Sequence, residues 1–217
     1  MFRSTPIKLH DCQVHGVGTG AELFVVEGDS ASLSVARARD MRFQAVLPMQ
    51  GKPLNAIKAS PRAVANNEWF AAFADAVGSG MGDYFHLQSV RFDNVVLLFD
   101  PDADGIHCGA LMMMFLHRFM RPLLDSGRVS IVRAPMFEIT ADAYNDSLLA
   151  YGEEHYRKLR EHLESQQIEG LKVNRFRGLA SLNQSLLTRT CLDPRTRSAT
   201  PVDASDAESA ISIFCGD

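Results

Sequence analysis

Hydrophobic and polar positions follow two rhythms along this chain. Through the first two thirds, short runs rich in Val, Leu, Ile and Phe at 22–26, 43–47, 94–99 and 129–133 alternate with longer stretches of helical period. Runs that are apolar at nearly every position predict strands covered on both faces. Their alternation with helices predicts strand-helix-strand units and an α/β fold with a mainly parallel, four-stranded sheet flanked by helices. The helical stretches are 30–40, 61–77 with Pro61 in its first turn, and 107–125, which ends before Gly127. Gly78, Gly80 and Gly82 mark an exposed, flexible turn.

From about residue 141 the pattern changes. A charged helical stretch at 153–167 is followed by Arg177-Gly178-Leu179, a further helix to about Cys191 and an acidic C-terminal helix opening near Asp203. The chain therefore divides into a lead-in (1–20), an α/β domain (21–140) and a small, mostly helical tail (141–217).

Composition narrows the functional classes. With 217 residues, 46% of them hydrophobic, the chain is long enough to bury a substantial core. Its 22 basic and 26 acidic residues leave a net charge of -4, which excludes a strongly basic field over the whole surface, so a polyanion must be held locally. Charge is also segregated: residues 151–200 carry nine Lys/Arg against six Asp/Glu, whereas 81–110 carry one Arg against five Asp. The longest uncharged apolar stretch, 105–116, is shorter than the roughly 18 residues of a membrane helix. Met1-Phe2-Arg3-Ser4-Thr5-Pro6 has no secretory pattern, so a cytoplasmic location is expected. Cys12, Cys108, Cys191 and Cys215 are too dispersed for a zinc cluster or a disulfide framework.

The sharpest local signal is an apolar strand, Val95-Val96-Leu97-Leu98-Phe99, that runs into Asp100-Pro101-Asp102-Ala103-Asp104-Gly105. Strand ends are where open α/β sheets hold ligands. Three neighbouring carboxylates repel one another unless a cation sits among them, and oxygen-only donors suit a hard divalent ion such as Mg²⁺. An EF-hand loop also begins Asp-x-Asp-x-Asp-Gly, but it requires a bidentate Glu where Leu111 stands and a helix where this sequence has a strand. The competing structural reading is an acidic turn or helix cap. A second strand, Leu23-Phe24-Val25-Val26, ends at Glu27 and Gly28. If both strands are parallel in one sheet, Glu27 and Asp100 emerge at one edge, with Glu27 either a metal ligand or a general acid/base beside the metal.

Taken together, these residues resemble the Toprim domain of type IIA DNA topoisomerases, in the C-terminal half of the B chain of bacterial gyrase or topoisomerase IV. Glu27-Gly28-Asp29-Ser30-Ala31 is similar to the family's EGDSA, and Leu47-Pro48-Met49-Gln50-Gly51-Lys52-Pro53-Leu54-Asn55 to its LPLxGKxLN element. Asp100-Pro101-Asp102-Ala103-Asp104-Gly105-Ile106-His107 resembles TDADVDGSHI; Arg177-Gly178-Leu179, Leu192-Asp193-Pro194-Arg195-Thr196-Arg197 and Phe214-Cys215-Gly216-Asp217 resemble KGLGEM, MDPxxR and LMGD. The resemblance implies a Rossmann-like sheet with a helical tail. It implies one or two Mg²⁺ ions, held by Glu27 and Asp100 and by Asp100 and Asp102, with Asp104 supporting the catalytic cluster and Lys52 and Asn55 contacting DNA.

It further implies partners: DNA at the nucleoid, a gyrase A-like chain that carries the nucleophilic tyrosine, and an ATPase in a separate chain. None of Tyr84, Tyr144, Tyr151 and Tyr156 lies in a nucleophile motif, and Gly16-Val17-Gly18-Thr19-Gly20 lacks the Gly-Lys-Ser/Thr end of a phosphate loop, so no ATP site is expected here. Met112-Met113-Met114 reads as core, and His107 as either a reach toward the acidic cluster or a packing residue. Some positions depart from the family pattern. Ser32-Leu33-Ser34 replaces a glycine pair, Gln50 replaces a basic residue, and the segment after Leu179 loses a glycine and a glutamate. The leading expectation is a Mg²⁺-dependent DNA cleavage and religation module. The alternatives are a catalytically weakened paralogue that binds DNA or a partner, and a free-standing Toprim nuclease.

Overall fold

A computed structural model describes residues 8–216. The N-terminal segment read above for targeting, Met1 to Pro6, and Asp217 of the closing motif lie outside the described residues. The elements in chain order are β1 (Glu22–Glu27), α1 (Gly28–Ala38), β2 (Gln44–Met49), α2 (Pro61–Ala65), α3 (Glu68–Val77), β3 (Asn94–Leu98), α4 (Ala103–Phe119), α5 (Arg121–Asp125) and β4 (Val129–Val132). β5 (Phe137–Thr140) closes the α/β segment, and the tail adds β6 (Leu148–Ala150), α6 (Glu153–Ser165), β7 (Lys172–Arg175), α7 (Gln184–Leu187), β8 (Ala199–Pro201) and α8 (Ala204–Cys215).

All four predicted strands form, side by side, in a sheet of order β2-β1-β3-β4-β8. The first four are parallel, and β8 adds a fifth, antiparallel strand beside β4. Pro48 is tolerated in β2 because this strand lies at the sheet edge. Val46 turns its N–H and C=O outward to bridge His10, so the group missing at Pro48, two residues on, would point past that bridge to no further strand.

The four parallel strands are apolar at nearly every position because the sheet is covered twice. On β1, Leu23 and Val25 face the core built with α3 and α4, while Phe24 and Val26 face α1 and the tail. In the first layer Phe115 stacks on Phe70 at 4.1 Å and meets Phe73 edge-on at 6.1 Å. Met112 and Met114 are fully buried, in keeping with their core reading. In the second layer the tail residues Phe176, Leu179, Leu182, Leu187 and Leu192 complete what α1 leaves uncovered.

Helix boundaries differ from expectation where a polar side chain captures free amides. The 61–77 stretch breaks because the Asn67 side chain accepts from the Trp69 and Phe70 amides and starts α3 afresh. Helix α4 starts four residues before the predicted His107, capped by Asp102, and stops at Met120 ahead of the Arg121-Pro122 step. The tail holds helices as expected, and its strands β6 and β7 flank β5, from just before residue 141, in an antiparallel sheet of order β6-β5-β7. Those strands are only three or four residues long, too short for the alternation of Phe137-Glu138-Ile139-Thr140 to stand out, and β7 is exposed throughout.

Candidate metal centre

The sheet order fixes where the acidic residues meet. From β1 the chain passes outward to β2, then returns across β1 to β3 on its other side, so the direction of strand addition reverses between β1 and β3. These two strands are parallel with Val26 opposite Leu98. Glu27 closes β1 one residue beyond that pair, and Asp100 follows β3 two residues beyond it. Adjacent strands are about 4.8 Å apart, so the backbones of both acids leave the same edge at the reversal point.

The remaining carboxylates follow from the start of α4. Asp102 caps that helix by accepting the Gly105 amide at 2.9 Å. Asp104 lies in its first turn, where the helix dipole favours negative charge. The turn is tight enough that a Cβ on Gly105 would fall 2.0 Å from the Asp100 carbonyl oxygen, which excludes any side chain there. Both readings of the Asp cluster are thus represented: Asp102 is a helix cap, and it caps the helix whose first turn abuts the Glu27 edge.

The carboxylates are electrically coupled. Burial, and then the charges of Asp100, Asp102 and Asp104, raise the Glu27 carboxyl above its ordinary value against the opposing effect of Lys52. Glu27 is half-buried and makes no capping bond to α1. Burial also raises Asp100, opposed by a hydrogen bond from the Leu179 amide at 2.9 Å and reinforced by the charge of Asp102. Asp104 is held low by Lys52, whose Nζ lies 2.7 Å from Oδ1, and the lysine is raised in return. Among the described residues only Asp11, Cys12 and His15 bring three ligand-type atoms within 4.8 Å of one another, so the four site carboxylates stand more openly than that. An all-oxygen donor set in which neighbouring carboxylates raise the proton affinity of Glu27 and Asp100 suits a hard divalent cation, which would relieve the repulsion.

Lys52 reaches the site from the loop after β2, whereas Asn55, further along the same loop, makes its contacts away from the carboxylates. Lys52 is exposed apart from its pair with Asp104, and Asn55 is bound within the chain. The Asn55 side-chain Oδ1 accepts from the Ile57 and Lys58 amides, and its side-chain amide group donates to Cys215 Sγ at 3.5 Å. Arg118 of α4 anchors the same loop by donating to the carbonyls of Ala56, Ile57 and Ala59. Gln50, at a position where the family favours a basic residue, donates to Asp29, which also pairs with Lys8. Beside Asp100 and Asp102 opens a groove of about 310 Å³ whose other wall is Met136, Arg175, Phe176 and Arg177. Sequence reasoning did not find the roles of Arg118 and Leu179; both act through main-chain groups distant in sequence, which leave no local signal.

Several features flagged in the sequence are accounted for by packing. His107 stacks on Phe214 at 5.3 Å. Cys108, behind the acidic edge, has its thiol pushed up to about 11, first by burial and then by Glu27, so it is an unreactive neighbour. In the glycine-rich loop, the Gly18 and Gly20 amides donate to the carboxylate of Asp93, so its anion is part of the same chain. Arg197, within the basic stretch, is 5% exposed and paired with Glu22, which removes it from any DNA-contacting surface.

Comparison with known proteins decides the family. The Toprim domain family matches residues 22–134, more than half of the chain, and ends just past β4. The chain belongs to the Toprim family. The Toprim chain is 38% identical over 210 residues to the B subunit of DNA gyrase from Thermotoga maritima, covering 96% of this chain and 32% of that protein. It is 35% identical over 214 residues to the gyrase B subunit of Archaeoglobus fulgidus (99% and 33%), and 33% over 199 residues to the B subunit of DNA topoisomerase 4 from Enterococcus faecalis (90% and 29%). It therefore spans about a third of the length of these relatives. No helix among the described residues of this Toprim chain is long and apolar enough to cross a membrane.

Proposed function

We propose that this chain is the Mg²⁺-dependent DNA cleavage and religation module of a type IIA DNA topoisomerase, an isomerase of gyrase B type. The observation that carries this reading is the emergence of Glu27 and Asp100 from adjacent parallel strands at the reversal point of the sheet, with Asp102 and Asp104 following at the start of α4. Glu27 and Asp100 would hold one Mg²⁺, and Asp100 with Asp102 a second. When bound, the ions supply charge neutralisation at the phosphodiester under attack. Lys52 lies beside the cluster, where an ammonium group can meet a DNA phosphate, with Asn55 shaping and bordering the same loop. A raised carboxyl at Glu27 is also suited to holding a proton at that edge. We assign the nucleophilic tyrosine to a gyrase A-like partner and ATP hydrolysis to a region outside these 217 residues.

The test combines the chain with its gyrase A-like partner, supercoiled plasmid and Mg²⁺. Asp100→Ala is expected to lower strand cleavage at least about a hundredfold, the scale on which loss of a preorganised electrostatic contact acts. Unchanged cleavage would overturn the metal assignment. The alternative, a weakened paralogue that binds DNA or a partner, is favoured by the internal engagement of Lys52 with Asp104 and of Asn55 with Cys215. It requires DNA or partner binding that survives Asp100→Ala, with no cleavage by either form at any Mg²⁺ concentration.

A further inference from the structure

The carboxylate of Asp100 is held by an amide 79 residues further along the chain. The Leu179 amide donates to Oδ1 at 2.9 Å, and among the described residues Oδ2 accepts no hydrogen bond. Leu179 is fully buried in the core on the second face of the sheet, beside Val26 and Leu98 of the strands that carry the acids. Its amide is therefore a fixed donor, anchored through its side chain to the sheet from which Asp100 projects.

Gly178 makes this approach possible. Its backbone has φ +144 and ψ +174, a region that residues with side chains rarely adopt. A Cβ at this position would fall 2.6 Å from Asp100 Oδ2 and 3.0 Å from Cγ, so the carboxylate occupies the space left by the missing side chain. The turn is closed by Ser181, whose hydroxyl accepts the Arg177 amide at 3.0 Å and donates to the Gly178 carbonyl at 2.6 Å. Ser181 stands where the family motif departs in this sequence, so the chain closes the turn with a side chain of its own.

We propose that Gly178 and the Leu179 amide are positioning groups of the metal centre: they hold Oδ1 of Asp100 against the protein and leave Oδ2 for a divalent cation. The proposal rests on the reading of Asp100 as a metal ligand. It also makes the centre a product of two segments, since the positioning groups lie outside residues 22–134, the part matched by the Toprim family.

The experiment measures Mn²⁺ affinity of the full chain by electron paramagnetic resonance for the unmodified protein, Gly178→Ala, Asp100→Asn and the double variant. Gly178→Ala is expected to weaken binding about tenfold or more, the usual effect of disturbing a group that orients a metal ligand. Adding it to Asp100→Asn is expected to change affinity no further, whereas independent structural damage would accumulate. Binding by Gly178→Ala within twofold of the unmodified chain, while Asp100→Asn is weakened, would overturn the positioning role and leave the ligand assignment intact. Unchanged binding by Asp100→Asn would remove the ligand assignment and the proposal with it. Should Gly178→Ala not fold, the unmodified chain is followed by amide NMR. The Leu179 resonance is expected to exchange slowly with solvent and to move on addition of MgCl₂ and on Asp100→Asn, and a fast-exchanging amide indifferent to both would overturn the proposal.

Discussion

Asp193 shows how one side chain supports a turn that the sequence marks only by its Asp-Pro step. Its carboxylate accepts from the Arg195 guanidinium at 2.8 Å and then from the Arg195 amide at 3.0 Å, which hold its pKa down at about 2 from an ordinary 3.8. A carboxyl lowered in the folded state contributes stability that is complete above 3.8 and lost as pH falls through about 2. Asp193→Ala should therefore be less stable than the parent by a small, constant margin from neutral pH down to about pH 4, with the margin closing toward pH 2. Urea unfolding at a series of pH values checks this, and a margin that widened on acidification would contradict the pairing. The residues around the acidic edge were differently legible. Glu27, Asp100, Asp102 and Asp104 are visible in sequence because each follows an apolar strand, while their partners are visible only in part: Lys52 sits in a motif, but the Leu179 amide has no side-chain signature at all.

Among the elements, α4 does the most to position the site. Its N-terminus carries Asp102 and Asp104, Arg118 near its other end anchors the Lys52 loop, and its middle fills the first core layer. Phe115 is fully buried against Phe70 and Phe73, so Phe115→Ala should cost about 3–5 kcal/mol in urea unfolding. A cost below about 1 kcal/mol would mean that the three-ring cluster is not part of the stable core. The all-round apolar pattern of this helix was readable; its start was not, because the Asp102 cap competes with the view of the same residue as a free ligand. Asn67 and Met120 similarly divide stretches that periodicity alone would run together.

For the whole molecule, the tail is joined to the sheet through a buried ion pair. Arg197 reaches Glu22 at the start of β1, with side chains 5% and 10% exposed, and also donates to the Leu192 carbonyl and lies over the Phe24 ring. Gln44 of β2 donates to the same carboxylate. Removing one member of such a pair leaves the other charge buried and alone, so Arg197→Met should destabilise the chain by about 3–5 kcal/mol. The double variant with Glu22→Met should recover part of that loss, because no charge is then stranded. Equal stability of the single variant and the parent, measured by urea unfolding, would show that the pair is not closed in solution. The basic C-terminal stretch thus divides into Arg197, which is structural, and exposed Arg175 and Arg177, which face the groove beside Asp100 and Asp102.

The sequence by itself determined the four parallel strands, the helices between them and the acidic residues at strand ends. These depend on local apolar runs and on side chains placed immediately after them. Only the tertiary structure decided the fifth strand Ala199–Pro201, the small second sheet, the burial of Arg197 and the contact of Gly178 and Leu179 with Asp100. Each depends on pairing between segments far apart in the chain through backbone groups or a single buried charge. Such groups carry no period along the sequence, and their partners exist only once both faces of the central sheet are covered.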